Sequence, residues 1–282
     1  MVIYKHKLIN LYYRKETEEY MFKIFNEDCL TTMKRIKEGN GKVDIILTSP
    51  PYNTGRDTGN IKRGMENYER RYDIYLENKT VDEYSDWTVD IFNHYDSILK
   101  ENGCILYNMS YGNENPEQMY LTVAEVINRT NFTIADTIIW KKKSALPNNV
   151  SHNKLTRICE FVFVFCRKDE YKTFTANKKV KSQSRTGQNY YENIFNFVEA
   201  KNNDGANKLN KATYSSDLCE QLLNIYAKPN SIVYDSFNGT GTTGVACVRL
   251  GHNYIGSELS KEQCKYSIER LEKISEEVKC TA

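Results

Sequence analysis

Two short stretches carry residue types and spacings that could do chemistry. The first is TSPPYNTG (48–55), which follows directly on VDIIL (43–47). A mostly β-branched apolar run of that length reads as a strand covered on both faces. Pro50 and Pro51 lack an N–H and fix φ, so the ladder stops there in a stiff extended segment. Its carbonyls have no ladder partners, and they lie beside the Ser49 hydroxyl and the Tyr52 ring. Two readings stand: a Pro-rich turn with Tyr52 as its cover, or a rigid set of acceptors for a planar, amino-bearing group.

The second stretch is VYDSFNGTGTTG (233–244). A strand delivers Asp235 at its carboxyl end, Gly239 and Gly241 permit a tight turn, and a helix begins at once. Strand, glycine turn and helix in that order bind nucleotide-like cofactors where strands end in an open α/β sheet. No G-K-[ST] follows, which disfavours a phosphate-cradling loop. The next strand, YIGSEL (254–259), ends with Glu258, where an acidic residue would grip ribose hydroxyls. A glycine loop followed by an acid, with no phosphate-binding lysine, suits a nucleoside with an uncharged tail such as S-adenosylmethionine. Gly239, Gly241 and Gly244 also match the G-x-G-x-x-G of nicotinamide dehydrogenases, but they come late in the chain, and that reading leaves TSPPY unexplained.

The elements that must position these residues alternate along the chain. Strands are expected at 43–48, 104–109, 132–140, 159–167, 231–235 and 253–259. Helices are expected from Val81 to an Asn102-Gly103 stop, from about Pro116 to Asn128, over 215–227 with Ser215 or Ser216 as cap, over 241–251, and from Ser260 onward. Alternation of this kind implies crossover connections, a mainly parallel sheet and helices on both faces. Two segments, 56–79 and 168–213, break the pattern and mix Lys and Arg with Tyr, Asn, Gln and Gly. Each reads equally as a solvated insertion or as a surface for phosphate contact, stacking and base-edge reading.

Bulk composition narrows the classes. The 282 residues suffice for one large domain, and a net charge of +2 leaves any attraction to a polyanion to local patches. The 21 tyrosines suit base stacking and wet interfaces, although an A·T-rich coding bias would raise them too. No apolar leader or membrane span is indicated. The eight cysteines are scattered, with no C-x-x-C pair and four histidines in all, which argues for reduced thiols in a cytoplasmic protein and against a metal site.

SPPY (49–52) preceding DSFNGTG (235–241) resembles the amino-methylating DNA methyltransferases of the β arrangement, in which a catalytic [SDN]-P-P-[YFW] precedes a cofactor-binding D-x-F-x-G-x-G. NEDCLTTM (26–33) is similar to the family's G-D-x-L-x-x-L segment. The run from Ile138 to Lys168 looks like its Trp-x-Lys to R-x-x-E-[YF] region. The likeness spans about Phe22 to Leu271. It implies a Rossmann-like α/β methyltransferase sheet with permuted motif order. The chain then reads as a single domain over 1–282, in which the composition of the two basic segments makes 56–79 the candidate mobile loop and 168–213 the candidate target-recognition insertion.

The same resemblance implies S-adenosylmethionine as cofactor, held by Asp28, Asp235, Phe237, Gly239, Gly241 and Glu258, with Thr240 and Thr242 as additions. Ser49 Oγ and the Pro50 carbonyl would accept the amino protons of a flipped base on which Tyr52 stacks, with Pro51 completing the catalytic tetrapeptide. Asn53, Arg157 and Glu160 would order the pocket, an Arg157–Glu160 ion pair bracing the strand being the alternative. Double-stranded DNA would meet Arg56, Lys62, Arg63, Arg70 and Arg71 in the first basic segment, and Lys178, Lys179, Lys181 and Arg185 in the second. The proline common in D-P-F is Ser236 here, and the usual His-Pro stretch before the penultimate helix is NKATYSSDL. Ser49 leans the choice of base to cytosine N4, whereas P-P-Y-N is commoner in adenine-N6 members. RNA or a protein amide is a more distant substrate. No endonuclease domain fits in the remaining length, so a stand-alone methyltransferase is expected; a separate cognate endonuclease is one candidate partner, and dimers are common in the family.

Overall fold

The computed structural model describes residues 11–16, 21–53, 79–112, 115–145, 147–149, 152–205, 209–210 and 213–281. Among the described residues, nine strands form one sheet in the order β1-β2-β11-β10-β3-β4-β6-β5-β9. In chain order these are β1 (Leu11–Glu16), β2 (Met21–Phe25), β3 (Val43–Thr48), β4 (Leu99–Met109), β5 (Phe132–Lys142), β6 (Cys159–Arg167), β9 (Phe197–Ala200), β10 (Ile232–Asp235) and β11 (Asn253–Ser257). Two further strands, β7 (Val180–Gln183) and β8 (Asn189–Tyr191), pair with each other in a separate two-stranded sheet. From β2 across β11, β10 and β3 to β4 every pairing is parallel. β6 runs antiparallel to both β4 and β5, and β1 antiparallel to β2. The mainly parallel α/β sheet read from the alternating elements is therefore present.

Alternation along the strands sends side chains to two cores. On one face Ile45, Leu47, Cys104, Leu106, Val162 and Val164 pack with α4 (Ser216–Tyr226), α5 (Thr242–Leu250) and α6 (Lys261–Thr281). On the other, Ile46, Ile105, Tyr107, Phe163 and Phe165 pack with α1 (Cys29–Glu38), α2 (Val81–Ile98) and α3 (Gln118–Arg129). Phe92 of α2 sits edge-on to Tyr107, Phe132 and Phe165, with ring centroids 4.9–5.8 Å apart. Among the described residues, no helix is long and apolar enough to cross a membrane.

Three features differ from the sequence reading. Asn102-Gly103 does not stop α2, which ends at Ile98 and runs straight into β4. The pair instead lies in an irregularity where β4 passes β3, Asn102 with φ 54°. A Cβ on Gly103 would lie 2.8 Å from the Asp44 carbonyl oxygen, so the close approach of the two strands demands glycine. The segment 168–213 is not wholly irregular: it contains the β7–β8 hairpin, and β9 joins the main sheet beside β5. The hairpin of β1 and β2 was not foreseen from the sequence. The basic positions Arg56, Lys62, Arg63, Arg70 and Arg71 lie outside the described residues.

Candidate active site

Four neighbouring parallel strands end at one edge of the sheet, and each hands a functional segment to a common cleft. After β2 the chain turns through Glu27 and Asp28, and Asp28 caps α1, its Oδ1 accepting from the Leu30 N–H at 2.8 Å. β11 leads to Glu258, β10 to the glycine turn and β3 to Ser49. The walls include Glu27, Asp28, Ser49, Pro51, Trp87, Phe237, Gly239, Thr240, Thr242 and Glu258. Such a crevice beyond the carboxyl ends of parallel strands is where open α/β sheets bind ligands.

The glycine turn is shaped by positive φ at Gly239 (51°) and Gly241 (79°), the left-handed region that glycine enters without cost to a side chain. Gly241 caps α5 and lies against Ser267, whose Oγ a Cβ at position 241 would overlap. Glu258 is fixed before any ligand arrives: Oε2 accepts from the Gly239 N–H at 2.8 Å and Oε1 from the Ser260 N–H at 2.9 Å. A carboxylate oxygen accepts more than one hydrogen bond, so the group can still receive a vicinal diol. Trp87 and Phe237, ring centroids 5.5 Å apart, supply an aromatic wall. An acid with room to accept a diol, an aromatic wall and a backbone bare of Cβ atoms fit a nucleoside.

Asp235 is placed differently from the other cofactor candidates. It is buried and not among the cleft's walls. Its Oδ1 accepts from Thr48 Oγ1 (2.7 Å) and the Phe237 N–H (3.0 Å), and its Oδ2 from Thr243 Oγ1 (2.7 Å) and the Tyr214 hydroxyl (3.3 Å). Burial pushes its pKa above the ordinary carboxylate value, against the pull of these four donors. The carboxylate ties the glycine turn to Thr48, the residue next to Ser49.

In the tetrapeptide, Ser49 and Pro51 face the cleft, while Pro50 and Tyr52 are not among its walls. The Pro51 carbonyl accepts from the Tyr84 hydroxyl (2.8 Å) and the Tyr52 carbonyl from Gln118 Nε2 (2.8 Å). No hydrogen bond among the described residues goes to the Pro50 carbonyl. Asn53, buried with φ 51°, is spent on the Lys79 backbone and Gln118. The Tyr52 hydroxyl meets Ser49 Oγ at 2.9 Å, Glu160 Oε2 at 3.0 Å and Asn108 Nδ2 at 2.5 Å.

Arg157 and Glu160 do not pair with each other. Arg157 lies over the Tyr111 ring and donates to the Tyr111 carbonyl at 2.5 Å, whereas Glu160 is paired with Lys142. Lys178, Lys179, Lys181 and Arg185 are exposed on and beside the β7–β8 hairpin. Trp87 was read as part of an apolar helical face, and Asn210, Tyr214, Asn238 and Gln263 were not singled out, yet all five line the cleft. Helical spacing assigns Trp87 to a face but cannot show that this face overhangs the cleft.

The sequence matches the family model N6_N4_Mtase, described as DNA methylase, over residues 43–269. The chain belongs to the N6/N4 DNA methylase family. Among curated members, this methylase is 24% identical over 264 residues to the type II methyltransferase M.BglII of Bacillus subtilis, a match covering 87% of the chain and 67% of the relative. It is 24% identical over 280 residues to M.Cfr9I of Citrobacter freundii, with coverages of 88% and 87%. Among solved structures, the fold superposes on the PvuII DNA methyltransferase, titled cytosine-N4-specific, with a TM-score of 0.63, 17% identity and coverages of 91% and 92%. On the M1.HpyAVI–SAM complex the TM-score is 0.56, with 23% identity and coverages of 89% and 99%.

Proposed function

We propose that this methylase transfers a methyl group from S-adenosylmethionine to the N4 amino group of a cytosine flipped out of double-stranded DNA. The observation that carries the reading is that Ser49 walls the same cleft as Glu258, Gly239 and Phe237. A base held by the tetrapeptide is thereby set beside a nucleoside held by the glycine turn. The cofactor supplies an electrophilic methyl group, and the M1.HpyAVI–SAM complex gives a precedent for it on this fold. Glu258 would hold the ribose hydroxyls, Trp87 and Phe237 would flank the cofactor, and Asp28 would take its adenine amino group.

The exocyclic nitrogen of cytosine is a weak nucleophile because its lone pair is conjugated with the ring. Ser49 Oγ and the Pro50 carbonyl would each accept one N–H, drawing the nitrogen towards tetrahedral geometry and its lone pair towards the methyl group. Position and preorganised dipoles do this without a covalent enzyme intermediate. The amino group is out of reach inside a duplex, so the base must leave the stack. The neutral Ser49 hydroxyl, where adenine-N6 members usually carry Asp or Asn, favours cytosine. Asn53, the residue that tilts the motif towards adenine, is buried in contacts to Lys79 and Gln118 and does not line the cleft. The exposed β7–β8 hairpin would read the target, and a separate endonuclease would share the site.

The test is incubation of unmodified genomic DNA with labelled S-adenosylmethionine, digestion to nucleosides and mass spectrometry. N4-methylcytosine is the expected product. N6-methyladenine would overturn the choice of base, and labelled protein or RNA without labelled DNA would overturn the substrate.

A further inference from the structure

We propose that Glu160, fastened by Lys142, orients the Ser49 hydroxyl through Tyr52 and receives the proton that the substrate amino group sheds; the inference rests on the methyl-transfer reading above. The residues involved come from four adjacent strands. Tyr52 follows β3, Asn108 lies on β4, Glu160 is the second residue of β6 and Lys142 the last of β5. Because β6 runs antiparallel to its neighbours, its beginning meets the ends of β3, β4 and β5. Glu160 and Lys142 side chains are 12% and 24% exposed, and Asn108 is 2% exposed.

The direction of each hydrogen bond follows from the donors available. An ionised carboxylate only accepts, so Asn108 must turn Nδ2 towards Glu160 Oε2, 3.0 Å away. The same Nδ2 reaches the Tyr52 oxygen, which therefore accepts from it. Tyr52 has one hydroxyl proton, and the carboxylate 3.0 Å away takes it. Ser49 must then donate to the Tyr52 oxygen, leaving the lone pairs of its Oγ free for the substrate N–H. Without a charged Glu160 the Tyr52 proton could point at Ser49, and Ser49 would offer its own proton towards the amino group instead.

The same line of contacts conducts the released proton. As the substrate nitrogen gains its methyl group, its N–H bond breaks and the electron pair stays on nitrogen. The proton joins Ser49 Oγ, the Ser49 proton passes to Tyr52 and the Tyr52 proton to Glu160 Oε2. Glu160 ends neutral and Ser49 and Tyr52 are unchanged, so charge and atoms balance. Glu160 is thus a positioning residue that acts through Tyr52, and Lys142 holds its other oxygen in place.

The experiment is steady-state DNA methylation by the full chain as wild type, Glu160→Gln, Tyr52→Phe and the double variant, with cofactor affinity by calorimetry and thermal midpoints alongside. Gln still offers Tyr52 an oxygen but carries no charge and takes no proton. Each single variant should lower kcat by about 100-fold, a usual size for lost proton transfer, with cofactor affinity and midpoint unchanged. The double variant should be no slower than the slower single one, since both cut one line. Unaltered kcat in Glu160→Gln, losses that multiply in the double variant, or loss confined to the midpoint would each overturn the inference. Should Glu160→Gln not fold, Tyr52→Phe decides by the same readout. A wild type that methylates no DNA would bring down the functional reading and this inference together; an active wild type with an unaffected Glu160→Gln brings down the inference alone.

Discussion

Gly241 is held at φ 79° with its α-hydrogen against Ser267. An L-side chain in the left-handed region costs roughly 1–2 kcal/mol by itself, and here it would also collide with the Ser267 hydroxyl. Gly241→Ala should therefore lower the unfolding free energy in urea by more than the backbone cost alone. Adding Ser267→Gly should relieve the collision and leave the backbone part; equal destabilisation with and without the second change would show that contact to be unimportant. At this scale the glycines were legible because positive φ leaves little choice of residue. Asp235 was legible as a strand-end carboxylate but not in its direction. Which way it faces is decided by hydroxyls of Thr48 and Tyr214, 187 and 21 residues away in sequence.

The start of α2 illustrates how an element delivers several contacts at once. Thr80 and Glu83 form a reciprocal cap, the Thr80 side chain accepting from the Glu83 N–H at 3.2 Å and Glu83 Oε2 from the Thr80 N–H at 2.8 Å. The turns that follow carry Tyr84 to the Pro51 carbonyl and Trp87 to the cleft wall. Thr80→Ala should cost about 1 kcal/mol of stability, the usual loss for such a cap, and should weaken cofactor binding because Trp87 rides on the loosened turns. Urea melts and calorimetry measure the two effects; intact cofactor affinity with reduced stability would separate the cap from the cleft. Strands such as Val43–Thr48 and Cys159–Arg167 were plain in the sequence because short apolar runs rich in β-branched and aromatic residues suit strands covered on both faces. Phe197–Ala200 was not, since an edge strand with alternating exposure looks like the polar segment around it. Trp140 offers its indole to the Ala200 carbonyl there, a contact visible only in three dimensions.

Across the whole molecule the charges nearly cancel, 39 basic against 37 acidic residues, so grip on a polyanion must be local. Replacing Lys178, Lys179, Lys181 and Arg185 with Ala should weaken duplex binding and flatten its salt dependence, by roughly 0.9 in log–log slope for each phosphate that is no longer neutralised. Cofactor affinity should stay as it is, and an unchanged salt slope would exclude the hairpin from the DNA surface. The order of motifs was legible, but not that β10 and β11 insert between β2 and β3. That insertion has a consequence for how the protein comes into being. A ribosome delivers Ser49 and its strand long before the strand that must flank it, as the Ile232 N–H contact to Asp44 spans 188 positions. Until then β2 and β3 each present a bare, apolar edge, the kind of surface on which nascent chains stick to one another. The growing polypeptide thus carries half a workplace for most of its synthesis and becomes competent only when its last strands emerge. A chain cut short before residue 231 would keep the tetrapeptide and lack the floor on which a methyl donor could rest.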